Sequence, residues 1–139
     1  QLLVNLHLSG LIDRDLTPLV EYVALVSEHC GIPIPPNYPA LGADAFRTAT
    51  GVHAAAVVKA LRKGDRALAD RVYSAVPASL LGREQRIEVG PMSGESNVVF
   101  WLEQHGYEAT RERIDRIFAA AKASDRLLSD DQLRELAGG

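Results

Sequence analysis

The side chain best placed for chemistry is the imidazole of His53, in the stretch Phe46 to Ala60, FRTATGVHAAAVVKA. It follows Thr50 and Gly51 and opens a run of small residues suited to a helix. Thr50 is a fair N-cap, its hydroxyl able to accept the backbone N–H of Val52 or His53. His53 then becomes a first-turn residue among unpaired N–H donors, at the positive end of the helix dipole. A cation is disfavoured there, so the uncharged ring is the expected form. An uncharged imidazole can take a proton from a carbon acid or hydrogen-bond to a carbonyl. The same placement also suits a histidine that merely packs or caps, and the residues alone leave both readings open.

Other reactive side chains are scattered. His7, His29, His53 and His105 form no H-x-H or HExxH pattern, and there is no cysteine pair, so no metal site is expected in this chain. A GxxxxGK(S/T) phosphate loop and a G-x-S-x-G elbow are absent. Ser93-Gly94 lacks the strand-to-helix setting of a nucleophilic serine. Tyr73 falls at a helix end, where a tyrosine commonly packs. Cys30 closes an apolar helical pattern, which predicts a buried, reduced thiol in preference to a nucleophile.

The elements that must position His53 are mostly helical. Residues 2–8 are apolar with Asn5 and His7 interrupting, a pattern that suits a helix or, by the alternation after Val4, a strand, and Gly10 ends it. Thr17-Pro18 starts a helix with Leu19, Val20, Val23, Val26 and Cys30 at helical spacing, stopped by Gly31 and Pro33. Ile32 to Gly42 carries four prolines and reads as an extended, stiff linker. A short helix is predicted over Asp44–Thr50, a second over His53–Arg62, and a third capped by Asp65 and running to Val72 or Tyr73. Pro77-Ala78-Ser79 opens a single helical turn ending at Gly82. Arg86–Val89 alternates as a short exposed strand that must pair within this region, with another subunit, or with a body outside the chain. The last third is helical: a helix through VVFWLEQH, one capped by Thr110, and one opened by the Ser129/Gln132 capping box. Phe100, Trp101 and Phe118 are spaced as the core of a three-helix unit.

Composition sets the outer bounds. The 139 residues suffice for one compact domain or two small ones, with 47% hydrophobic and 24% charged residues. A net charge of −3 gives no case for nucleic acid or an anionic membrane. A helix-turn-helix over residues 110–137 is further weakened by Asp115, Asp125, Asp130, Asp131 and Glu135. No leader or apolar run near twenty residues occurs, so a cytoplasmic compartment is the default. Gln1 opens directly into LLVNLHL, as though the chain were cut from a longer protein.

Two blocks of residues carry a more specific signal. The first holds Pro36-Asn37, Gly42, Ala45-Phe46 and Gly51-x-His53; the second holds Tyr73, Pro77, Gly82, Ile87, Gly90, Ser93-Gly94 and Leu102-Glu103. Together they resemble the region that follows the catalytic barrel in the 2-isopropylmalate synthase and homocitrate synthase family, and they cover more than half the chain. The resemblance implies a mainly α accessory region with one short strand or hairpin, placed after a (β/α)8 barrel. Residues 1–30 would be the end of the barrel and a connecting helix, 31–92 a linker subdomain, and 93–139 a small helical subdomain. It implies an acyltransferase that condenses acetyl-CoA with a 2-oxo acid, 2-oxoisovalerate foremost as in leucine biosynthesis, then hydrolyses the thioester. A homodimer is implied, as is a divalent metal held by the barrel. His53 and Tyr73 match the family histidine and tyrosine that serve removal of the acetyl methyl proton.

The family stretch is usually more polar around the histidine, where Ala54, Ala55 and Ala56 stand here, so the identity of the 2-oxo acid stays open. No long regulatory domain follows, and leucine inhibition is not implied. The rival reading is a non-catalytic helical interaction or dimerisation module.

Overall fold

A computed structural model describes residues 1–138. Among them are seven α-helices, one 3-10 turn and one two-stranded sheet, so the chain is mainly helical, as its patterning predicts. None of these helices is long and apolar enough to cross a membrane. Contacts sort the residues into two units that are discontinuous in sequence: 1–46 with 73–85, and 47–72 with those from 86 onward.

The first unit carries α1 (Leu2–Leu8) and α2 (Leu19–Cys30) on a small core of Val4, Leu16 and Leu81, with Leu19, Leu41 and Phe46 packed against it. Asp15 Oδ1 accepts the Thr17 N–H at 2.9 Å just ahead of Pro18, and left-handed Gly31 closes α2. Along its length α2 buries no residue, and Val20, Tyr22, Leu25 and Val26 are exposed. Cys30 is exposed as well, which corrects the expectation of a buried thiol. The apolar spacing of α2 is real, but beyond Leu19, which packs on the core, most of that face stays exposed.

The proline-rich segment corrects a second expectation, because it turns back on itself instead of extending. The N–H groups of Tyr38, Gly42 and Asp44 donate to the carbonyls of Pro35, Tyr38 and Pro36 at 2.9, 2.8 and 2.8 Å. Proline lacks a donor but keeps its carbonyl, so clustered prolines can serve as acceptors for a tight loop. A Cβ on Gly42 would lie 2.3 Å from the Pro36 carbonyl oxygen, so the loop closes only around glycine. Arg83 follows the 3-10 turn Ala78–Leu81 and its left-handed Gly82, the single turn predicted there. Its guanidinium donates to the carbonyls of Ala40 and Gly42 at 3.0 and 2.9 Å and lies 5.3 Å from the centroid of the Phe46 ring.

In the second unit, β1 (Arg47–Thr48) and β2 (Arg86–Ile87) run parallel, with Arg47 opposite Arg86 and Thr48 opposite Ile87. The strand predicted near Ile87 thus finds its partner inside the chain, in residues expected to be helical. Turns and β1 replace the helix predicted over Asp44–Thr50. An ion pair between Arg47 Nε and Glu88 Oε1 at 2.7 Å joins the two strand segments. Helix α3 (Gly51–Arg62) lays Ala54, Val57, Val58 and Ala60 against Ala69 of α4 (Arg66–Arg71), Ile87 and Phe100. Asp65 caps α4 by accepting the Leu68 N–H at 2.9 Å, as predicted.

Helices α5 (Glu95–Gln104), α6 (Arg111–Ala123) and α7 (Asp130–Gly138) bury a second cluster. It joins Val98, Trp101 and Leu102 to Ile114, Ile117, Ala121, Leu133 and Ala137, with Val89 among them. Thr110 accepts the Arg113 N–H at 3.4 Å, and Ser129 and Gln132 exchange both bonds of the predicted box at 3.3 and 2.9 Å. Of the aromatic trio, Trp101 enters this core and Phe118 flanks it, whereas Phe100 packs against the α3 and α4 cluster. Consecutive helical residues point about 100° apart, so neighbours serve different cores.

Candidate functional site at the start of helix α3

His53 lies in the first turn of α3, half-buried, as the sequence predicts. The device that starts the helix differs from the prediction. Thr50 occupies the N-cap position with extended backbone (φ −77°, ψ 128°), and its carbonyl accepts the Ala54 N–H at 2.9 Å. Its hydroxyl makes no cap hydrogen bond. The Gly51 N–H instead donates to the Met92 carbonyl at 3.0 Å, so main chain from a distant loop does part of the capping.

Close approach makes that possible. A Cβ built on Gly51 would lie 2.6 Å from the Gly94 nitrogen, and one on Gly94 would lie 3.2 Å from the Gly51 Cα. The starts of α3 and α5 therefore touch backbone to backbone. Ala54 has a related explanation, being wholly buried in the turn below, where a larger or polar side chain has no room. The alanine at 54 is thus a packing requirement of this fold.

Sequence reasoning passed over the residues that hold this junction. Ser93 and Asn97 are the buried polar side chains among the described residues, 2% and 0% exposed. Asn97 accepts the Gly94 N–H at 3.1 Å and donates to the carbonyls of Glu88 and Ala49 at 2.9 and 3.3 Å. Ser93 accepts the Gly90 N–H at 2.9 Å and has the Ala49 carbonyl at 2.8 Å as its nearer acceptor, with that of Glu88 at 3.3 Å. Lys122 of α6 donates to the carbonyls of Pro91 and Ser93 at 2.8 and 2.7 Å, its ammonium 4.9 Å from the Phe118 ring centroid. The available signal was Asn97 placed three residues after Gly94, a side chain in position to cap its own helix.

Tyr73 directly follows α4 and its cap Val72 and is 61% exposed. Its φ of +58° is left-handed, a conformation that costs a tyrosine of order 1 kcal/mol and persists only where the surroundings enforce it. His53 and Tyr73 belong to different units. Among the described residues no three His, Cys, Asp or Glu side chains come together as a metal site. The divalent metal implied by the resemblance has no ligand set among the described residues.

No protein-family model matches the chain. Known proteins do. A homocitrate synthase of Methanopyrus kandleri is 32% identical over 121 residues, spanning 85% of this chain and 28% of that protein. An (R)-citramalate synthase of Aquifex aeolicus is 32% identical over 130 residues, 83% of this chain and 23% of the relative. A probable 2-isopropylmalate synthase of Methanopyrus kandleri is 31% identical over 104 residues, 75% and 19% of the two. These proteins are all of one kind, and the chain is a homologue of the 2-isopropylmalate synthase and homocitrate synthase family. It spans less than a third of the length of the curated relatives it matches.

Proposed function

We propose that the chain is the accessory part of an acyltransferase that condenses acetyl-CoA with a 2-oxo acid, following a (β/α)8 barrel that holds the 2-oxo acid and a divalent metal. 2-Oxoisovalerate is the favoured 2-oxo acid, a homodimer the favoured assembly and the cytoplasm the favoured compartment. The observation that carries this reading is His53, fixed in the first turn of α3 by the Gly51–Gly94 contact in a chain homologous to such synthases.

The acetyl methyl is a weak carbon acid. His53 would accept one methyl proton on a ring nitrogen, directly or through a relay, while the C–H electron pair becomes the enolate double bond and the thioester oxygen takes the charge. Tyr73 would donate a hydrogen bond, or its proton, to that oxygen. The enolate carbon then bonds to the keto carbon, whose C=O π pair moves to oxygen and takes up a proton, and water cleaves the thioester to a carboxylic acid and free CoA.

The test is exchange of acetyl-CoA methyl protons with deuterated solvent, in the full-length protein with an unreactive 2-oxo acid analogue. His53→Ala should slow exchange by roughly two to four orders of magnitude. Tyr73→Phe should slow it less. Wild-type exchange in His53→Ala would remove His53 from the chemistry. The non-catalytic interaction module draws on the exposed apolar side chains of α2, and predicts that neither substitution alters exchange.

A further inference from the structure

We propose that Ser93 and Asn97 are positioning residues for His53. This rests on the reading of His53 as the group that acts at the acetyl methyl. The two side chains lie at the start of α5, yet both reach across to the carbonyl of Ala49, the residue before the N-cap of α3. Two residues further on, the Gly51 N–H is held by the Met92 carbonyl. The backbone is thereby pinned on both sides of Thr50, and His53 follows within the same turn.

A buried amide or hydroxyl is costly unless satisfied, and an apolar side chain would fill the same space without that demand. Ser93 and Asn97 are satisfied chiefly by main-chain groups: Ala49, Glu88 and Gly90 for the serine, and Ala49, Glu88 and Gly94 for the asparagine. What such directional bonds supply, and apolar packing would not, is a fixed distance between three backbone segments. The segments are the end of β2, the entry to α3 and the start of α5. The Thr50 hydroxyl makes no cap bond, so the helix start is located instead by the bonds to the Ala49 carbonyl and by the Met92 carbonyl on the Gly51 N–H. Lys122 secures the same loop from α6 through the carbonyls on either side of Met92. An error of about 1 Å in placing a reacting group can lower a rate by about a hundredfold.

The experiment is a double-mutant cycle in the full-length protein, read as methyl-proton exchange of acetyl-CoA in deuterated solvent, below the melting temperature of each variant. Ser93→Ala and Asn97→Asp are each expected to slow exchange by about ten- to hundredfold, with KM for acetyl-CoA little changed. In a His53→Ala background the same substitutions should change the residual rate less than about twofold, because the group they position is gone. Asn97→Asp keeps the acceptor for Gly94 N–H and removes the donor to Ala49. Should it fail to fold, Ser93→Ala, which removes one oxygen, carries the test alone. Equal losses with and without His53 would overturn the positioning role while leaving His53 in place. No loss on His53→Ala alone would overturn the reading beneath it.

Discussion

Gly51 and Gly94 meet so closely that a methyl group has no room at the first, where a Cβ would lie 2.6 Å from a backbone nitrogen, and a tight fit at the second, where it would lie 3.2 Å from a Cα. Backbone cannot swing aside as a side-chain tip does. Gly51→Ala should therefore destabilise the second unit by about 1–3 kcal/mol, the range for overpacking. Gly94→Ala, with the looser contact, should cost less. Chemical denaturation of the two variants checks the order, and a Gly51→Ala protein as stable as the parent would contradict the contact.

Arg83 closes the proline-rich loop through two charge-assisted hydrogen bonds and a ring contact. Arg83→Ala should cost about 1–3 kcal/mol, and Arg83→Lys should recover only part of it, since an ammonium does not reproduce the planar fork. Hydrogen exchange gives the local readout. The amides of Tyr38, Gly42 and Asp44 should exchange faster while those of α6 do not.

The start of α2 should respond to acid. The Asp15 carboxyl is held below its usual range, first because it accepts the Thr17 backbone N–H and second because it bonds the Thr17 hydroxyl. A carboxyl whose folded pKa is depressed stabilises the fold fully above its unfolded pKa, and that stabilisation is lost as pH falls through the folded value. The first-turn amides of α2 should lose protection across that acid window. Asp15→Asn should remove the dependence, and an NMR titration of Asp15 at or above the ordinary carboxylate range would refute it.

The isolated chain should release no CoA thiol from acetyl-CoA and 2-oxoisovalerate above background. One histidine and one tyrosine cannot polarise both substrates, and the described residues bring together no metal-ligand set. Metal-dependent turnover by this chain alone would place the whole reaction within it.

How much was legible in advance follows from the range of the interactions. Thr110, Asp65 and the Ser129/Gln132 box act within one turn, so spacing alone identifies them, and α3 is legible because its period is local, although a distant loop helps to set its start. The segment Ile32–Gly42 reads as extended yet folds back, because proline content reports φ and says nothing of which amides will find those carbonyls. The partner of Ile87 lies near residue 48, a pairing that no local pattern encodes. Asn97 and Ser93 were legible as cap-forming types, but their acceptor, the Ala49 carbonyl, belongs to the backbone, which carries no sequence signature. Burial of Cys30 was misjudged because periodicity shows that a face is apolar without showing what covers it.

The order of synthesis gives the parallel pairing of β1 with β2 another meaning. The strand at 47–48 and the helix carrying His53 leave the ribosome well before residues 86–104, which must cover and pin them. At about 5–20 residues per second, α3 waits some seconds with α4 beside it but without Ile87 and Phe100 to complete its core. The segment bearing the imidazole is therefore made early and settles late. During that interval it is a ready ligand for any chaperone that binds short apolar stretches.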